Sequence, residues 1–243
     1  MYIWQQSNWP QFEYDNERLN DQLNNIVALQ DTISQLVSKL APQDLLDIKK
    51  QCLVDNVVLS THIDDEGVDT SSIEDCVSVY LQKNNPSHTA LSIENPLLIQ
   101  MFSSVMDDLS LPITQAKLYQ WHSLLFSQSN IENSGELRSQ SIHEKIHKKL
   151  KYIAPPKGDL TNQIQMFKQW FNAPIEGNKS KILRSAIAHF WMITLHPFED
   201  GNGRITRALT DRAIAQCEPN NIHLYSMTPA INAHKVKYQS LLI

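Results

Sequence analysis

The residues best able to do chemistry stand together at 196 to 207, reading His-Pro-Phe-Glu-Asp-Gly-Asn-Gly-Arg-Ile-Thr-Arg. This short segment offers an imidazole, carboxylates, two glycines, an amide and two guanidiniums. Glycine is scarce, six in 243 residues, so Gly201 and Gly203 mark a place where main-chain amides approach something closely. Arg204 and Arg207 are three positions apart, which puts them on one helical face where both can converge on successive phosphates of one ligand. Asp200 carries the opposite charge. Beside a polyphosphate it needs a hard cation such as magnesium to bridge it to the phosphates, which assigns it as the metal ligand. His196 is left as the group able to accept a proton near neutral pH. The set describes attack by a hydroxyl on a nucleotide phosphate.

Two helices must position these groups. Ile182, Leu183, Ala186, Ile187, Phe190 and Trp191 recur at helical spacing, predicting a buried helix that runs into Leu195 and His196 and stops at Pro197. Arg204, Ala208, Asp211 and Ala215 fit a second helix without breakers, its first turn near Asn202 to Arg204. The unpaired amides and positive dipole end of that turn make an anion site. Singly, a histidine after an apolar run is a capping residue, Gly-Asn-Gly a turn and paired arginines a solvated face. Their coincidence in one segment is what indicates a phosphate site.

The segment matches the signature His-x-Phe-x-Asp/Glu-Gly-Asn-Gly-Arg-x-x-Arg, and on it the chain resembles the Fic family. The resemblance implies an all-α fold, a Fic-type helical core with a small β-hairpin flap. It implies transfer of AMP from ATP to a Ser, Thr or Tyr hydroxyl of a target protein, with magnesium as cofactor. In that scheme His196 is the general base, Asp200 the magnesium ligand, and Asn202 with the Gly201 and Gly203 amides the anion hole. Arg204 and Arg207 bind the β- and γ-phosphates, and Phe198 anchors the loop in the core. Gly135-Glu-Leu-Arg138, then Ser139, Gln140, Ser141 and Ile142, a basic stretch and Tyr152-Ile-Ala-Pro-Pro156 resemble the family's hairpin, which holds a target in extended form. The cations of its tip, Lys145, His147, Lys148, Lys149 and Lys151, favour an acidic target or form a solvated face.

Upstream, Trp4, Trp9-Pro10 and Phe12 form an aromatic entry segment, and Leu19 to Leu40 recur at three and four residues in a long amphipathic helix closed by Pro42. Its stripe is read as packing on the rest of the molecule, with a coiled-coil homodimer as the alternative. The opening resembles the helical segment attached to many Fic cores. A second apolar pattern, from Leu45 to Val58, leads to Ser60-Thr61-His62-Ile63-Asp64-Asp65. Family members of this type carry Ser/Thr-x-x-x-Glu-Gly/Asn there, and the Glu pairs with the second motif arginine. Asp64 is one methylene shorter, so a water-bridged or absent pair with Arg207 and weak self-inhibition are expected. Glu74, in Thr70-Ser71-Ser72-Ile73-Glu74-Asp75, is the alternative regulatory acid, and Glu66 a third acid nearby.

The chain divides on this reading into an N-terminal helical segment, 1-94, and a Fic core, 95-243, which starts near Asn95-Pro96. Thr114 caps a helix through Leu118, Trp121, His122 and Leu125. His122 and His189 are read as structural, because two helical turns separate His189 from His196 and prevent joint zinc ligation. Thr228-Pro229 opens a last helix through Ile231, Val236, Tyr238 and Leu241. The absence of a capping signal there is read as a chain cut short, since related proteins continue into a DNA-binding-like domain.

A net charge of -5 argues against nucleic acid as a partner of the residues present. Cys52, Cys76 and Cys217 lack metal or redox spacing, as in a reducing cytoplasm. No run reaches membrane-spanning length and the start lacks signal-peptide form. The leading reading is a cytoplasmic, magnesium-dependent protein adenylyltransferase using ATP. Removal of AMP, which uses the regulatory acid to position water, transfer of another nucleotide or phosphate group, and a non-catalytic nucleotide-sensing module remain as alternatives.

Overall fold

The computed structural model describes residues 1–64, 67–83, 96–126, 133–146, 149–217 and 224–242, with side chains left out at 82–83, 96, 143–146 and 149–151. Glu66, Asn95, the 94/95 boundary, His147 and Lys148 therefore lie outside the described residues, as do the side chains of Lys145, Lys149 and Lys151. In chain order the helices are α1 (Asn16–Val37), α2 (Pro42–Ile63), α3 (Thr70–Lys83), α4 (Pro96–Ser104) and α5 (Gln115–Leu125). A hairpin of β1 (His143–Ile146) and β2 (Lys149–Ile153) follows, then α6 (Leu160–Asn172), α7 (Asn178–Leu195), α8 (Asn202–Cys217), α9 (Thr228–Ala233) and α10 (Lys235–Leu241).

The packing centres on α7 against α8. α8 is buried almost all round, with Arg204, Ile205, Arg207, Ala208, Leu209, Asp211 and Arg212 all inside. Such a helix needs partners for every charge it carries, and neighbouring elements supply them. Arg212, for example, donates to the carbonyls of Val105, Asp107, Asp108 and Leu111 at 2.6 to 3.0 Å. α2 joins the same core through Leu53, Val54 and Val57, and α3 through Ile73, Cys76 and Val77. The N-terminal helices are thus fused to the core that surrounds Trp121, Phe167 and Trp191.

The entry aromatics pack onto α7: Trp9 and Phe12 lie with their rings 5.8 and 5.6 Å from that of Trp191. Trp4 donates to the Ile153 carbonyl at 2.7 Å, fixing the base of the hairpin. α1 begins at an Asp15 cap that accepts from Glu17 and Arg18 amides. None of its residues is fully buried, so the expected stripe packs on α7 only along one edge and Leu29 and Leu36 stay exposed. The Thr114 cap is present, accepting from the Lys117 amide at 3.1 Å.

Two expectations change. The last helix is two short ones, broken at His234, whose amide is shared between the Ala230 and Ile231 carbonyls. The antiparallel ladder pairs His143 with Ile153 and ends with Ile146 opposite Lys149. Ser139, Gln140, Ser141 and Ile142 therefore form the strap entering the hairpin, and only Ile142 extends the pairing, accepting from the Ala154 amide at 3.2 Å.

Candidate active site

α7 ends on His196, whose φ of +48° is left-handed. That conformation is uncommon for a side chain bearing residue, and Pro197 prevents the helix from continuing past it. The turn delivers the imidazole to the mouth of a cleft of about 570 Å3. Its Nδ1 faces the Ile193 carbonyl at 3.2 Å, an arrangement that leaves the proton on Nδ1 and the lone pair on Nε2. The His196 carbonyl accepts from Arg138 Nε at 2.8 Å, and Arg138 also donates to the Gln140 and Pro155 carbonyls. Arg138 is 3% exposed, so one buried guanidinium ties the base-bearing turn to both sides of the hairpin stem.

The loop from 197 to 201 is held from below. Phe198 is buried and stacks on His122 with ring centroids 4.1 Å apart. His122 accepts from the Gly135 amide through Nδ1, at 2.8 Å, and faces the Asp200 carbonyl with Nε2, at 3.1 Å. Burial holds its pKa below the ordinary histidine value, in keeping with a neutral ring that donates once and accepts once. Glu199 accepts from the Ser139 amide and hydroxyl, so the strap is tied to the loop, and those hydrogen bonds keep its carboxyl below the usual range.

The side chain of Asn202, expected in an anion hole, is engaged with the loop. It closes a ring with Phe198, accepting from that residue's amide at 2.9 Å and donating to its carbonyl at 2.8 Å. What Asn202 offers an anion is its main-chain amide in the first turn of α8, alongside that of Gly203. Gly201 has φ of +70°, and a Cβ there would stand 2.7 Å from both Leu125 and Phe126. Gly201→Ala combines a left-handed alanine with overpacking, so it is expected to lower folding stability by about 2–4 kcal/mol. Denaturant midpoints of the two proteins measure this, and a change under about 0.5 kcal/mol, the level of a neutral surface substitution, would contradict it.

The arginines are buried, Arg204 to 3% and Arg207 to 1% exposure, opposite to a solvated face. Arg204 lies over the Phe126 ring at 5.0 Å and near the half-exposed Asp200 carboxylate at 3.8 Å. Arg207 donates to Ser60 Oγ at 2.8 Å, to the Ser60 carbonyl at 2.7 Å and to Asp64 Oδ2 at 2.9 Å. The expectation of a water-bridged or missing pair is overturned. α2 ends at Asp64 directly above the start of α8, and its carboxylate also lies 3.5 Å from Arg204. Gly203 permits the approach, since a Cβ there would be 2.8 Å from Asp64 Oδ1. The lost methylene is compensated by the backbone, because Gly203 has no side chain to hold the α2 end away. Glu74, the alternative acid, is exposed on α3.

Ser60, Arg138 and Asp211 do more here than their sequence pattern announced. Asp211 is one turn beyond Arg207 on α8, accepts from the Met227 amide at 2.9 Å and hydrogen-bonds the Asn56 side chain. Burial pushes its carboxyl up from 3.8 to about 7. The folded chain then holds a proton that the unfolded chain releases above about pH 4, so the associated stability is full below that pH and lost as pH rises through 7. Melting temperatures between pH 4 and 8 are expected to fall for this reason and to fall less in Asp211→Asn. An identical slope in both proteins would rule this out.

Among the described residues no group of three His, Cys, Asp or Glu side chains stands close enough to hold a metal ion. His189 is engaged with Thr210 and Tyr238, and His122 with the loop, so both are structural. The three cysteines are free thiols, and among the described residues no helix is long and apolar enough to cross a membrane.

Residues 112–214 match the Fic/DOC family model. This chain carries a Fic domain. Residues 2–82 match a separate family described as a domain of unknown function, DUF4172. Curated relatives of the Fic domain include Protein adenylyltransferase Fic of Drosophila virilis, 29% identical over 99 residues, and that of Drosophila melanogaster, 30% identical over 97 residues. These alignments cover 41% and 40% of this chain and 19% of each relative, so the matched region spans about a fifth of their length. A Fic family protein from Desulfovibrio desulfuricans shares the fold with a TM-score of 0.66 and 20% identity, covering 90% of this chain and 65% of that one. A Fic domain containing signaling protein from Bacteroides thetaiotaomicron gives 0.63 and 17%, covering 90% and 80%. The helical Fic fold with its small hairpin therefore extends over the N-terminal helices as well as the Fic domain.

Proposed function

We propose that this Fic domain is a magnesium-dependent protein adenylyltransferase held in a restrained state by its own α2. The observation that carries the reading is the convergence of His196, Asp200, Gly203 and Arg207 on one cleft at the N-terminus of the buried helix α8. The name of the curated relatives, protein adenylyltransferase, supports it. The first-turn amides and the two arginines bind the phosphates of ATP. His196 Nε2 takes the proton of a target Ser, Thr or Tyr hydroxyl as its oxygen bonds to the α-phosphorus. The bond from that phosphorus to the bridging oxygen breaks, and pyrophosphate leaves with the electron pair. The hairpin presents the target in extended form, and the strap Ser139–Ile142 sets its position beside the loop.

Asp200 fits a magnesium ion. It is a hard oxygen donor, its side chain is 57% exposed toward the cleft, and magnesium takes its remaining ligands from water and phosphates instead of a protein cage. Bound there, the ion would neutralise phosphate charge as the leaving group departs. The free thiols support a reducing, cytoplasmic setting.

Incubation of the protein and of Asp64→Ala with labelled ATP, CTP, GTP or UTP, magnesium and cell lysate tests the reading. ATP label on protein is the expected result. Stabilisation by nucleotide without label would make the chain a sensor, and release of AMP from a premodified protein would make it the reverse enzyme. Label from another nucleotide alone would reassign the base.

A further inference from the structure

Arg207 is gripped from the α2 side by Ser60 and Asp64, but the cleft that it lines has a second wall, built by α10. Tyr238 stands in that wall. Its hydroxyl lies 2.8 Å from His189 Nε2 and near the Arg207 guanidinium, which lines the same cleft. His189 Nδ1 lies 2.8 Å from Thr210 Oγ1, and that hydroxyl donates to the Thr206 carbonyl at 2.7 Å. Arginine can only donate and a carbonyl can only accept. The chain therefore has one consistent direction, from Tyr238 to His189 to Thr210 to the α8 backbone, which leaves the phenol oxygen an acceptor on the side of Arg207.

We propose that Tyr238 is a positioning residue for the terminal phosphates of the nucleotide, acting by holding the Arg207 guanidinium from the α10 side of the cleft. The proposal rests on the nucleotide-binding reading of the cleft. It differs from the α2 contact in its consequence: Asp64 competes with phosphate for Arg207, whereas a neutral phenol orients the guanidinium and leaves its charge for the phosphate. Both rings keep the neutral forms that the chain requires. Burial pushes Tyr238 up to about 12 and His189, also facing the Arg207 charge, down to about 4. The Tyr238 ring is the shared wall between the cleft and an apolar cavity of about 540 Å3 lined by Ile26, Leu29, Ile182 and Ile231. Lys235 reaches the His62 carbonyl at 3.4 Å, so α10 is also joined to the end of α2.

The test is calorimetric binding of ATP and of AMP, with magnesium, to Asp64→Ala and to Asp64→Ala carrying Tyr238→Phe. Tyr238→Phe is expected to weaken ATP about three- to tenfold, a fraction of the worth of one hydrogen bond to a charged group because the phenol acts through Arg207, and to leave AMP unchanged. In a background of Arg207→Ala the same substitution is expected to change ATP affinity no further, which a merely structural tyrosine would not produce. Equal losses for ATP and AMP, no loss for ATP, or the same loss without Arg207 overturns the proposal. If Asp64→Ala itself binds no ATP, the nucleotide reading fails and this proposal with it. Should Tyr238→Phe not fold, Thr210→Val tests the same chain from its far end, with a smaller loss confined to ATP supporting the proposal and none overturning it.

Discussion

His196→Ala is expected to lower the proposed nucleotide transfer by about a hundred- to ten-thousand-fold while ATP binding persists. The size follows from what a positioned base contributes when it removes a proton in the transition state. Binding persists because the phosphate contacts come from elsewhere, the first turn of α8 and the two arginines. The geometry also says that the fold tolerates the change. Most of the His196 contribution to the turn is made by main-chain atoms, its carbonyl accepting from Arg138 and its amide donating to the Met192 carbonyl at 3.2 Å, while the ring adds its contact to the Ile193 carbonyl. Labelled ATP in a transfer assay and calorimetry on the same preparation measure the two quantities. Transfer at the parent rate would remove the imidazole from the mechanism. Loss of binding together with transfer would mean that the ring holds the nucleotide and does not act on the hydroxyl.

Asp64→Ala is expected to raise the proposed transfer by about tenfold or more. Asp64 accepts a charge-assisted hydrogen bond from Arg207 and lies beside Arg204 as well. A hydrogen bond to a charged group is worth about 1.5–3 kcal/mol, and each 1.4 kcal/mol is a factor of ten. Removing the carboxylate leaves Arg207 its two Ser60 partners, so the guanidinium stays in place while its outer edge opens to phosphate. Glu74→Gly, on the exposed side of α3, is expected to leave the rate where it was. If neither substitution raises transfer in a labelling assay, restraint by this region is wrong, and a rise from Glu74→Gly alone would move the regulatory role to α3.

The motif was legible because its chemistry is local: a base, an acid and phosphate-binding groups lie within one turn between two helices whose apolar spacing is strong. The helical class and the Thr114 cap were legible for the same reason, whereas Asp64 as a partner for Arg207 came from the family resemblance, with Glu74 as the alternative. The strength of the Asp64 contact was not legible. Reach along a side chain was compared without knowing how closely two backbones pass, and Gly203 sets that distance. The family resemblance gave Asn202 to the anion hole, but only the loop's curvature shows that both polar ends of its side chain close on Phe198. Contacts among 60, 138, 207 and 238 join segments far apart in the chain, and no periodicity announces such pairings. The break at His234 also escaped, since Ile231 to Leu241 contains no glycine or proline to mark it.

On the proposed function, the bare edge at Gly203 makes the carboxylate of α2 and the tail of a triphosphate rivals for one parking place. An affinity measured on the intact protein is then the intrinsic affinity multiplied by the fraction of molecules whose α2 end has stepped aside; at about one in a hundred, ATP would look about a hundredfold weaker than it is. The dose of ATP needed for half-occupancy becomes a gauge of how firmly the protein restrains itself, and anything that tugs on α2 will be read out as a change in apparent appetite for nucleotide.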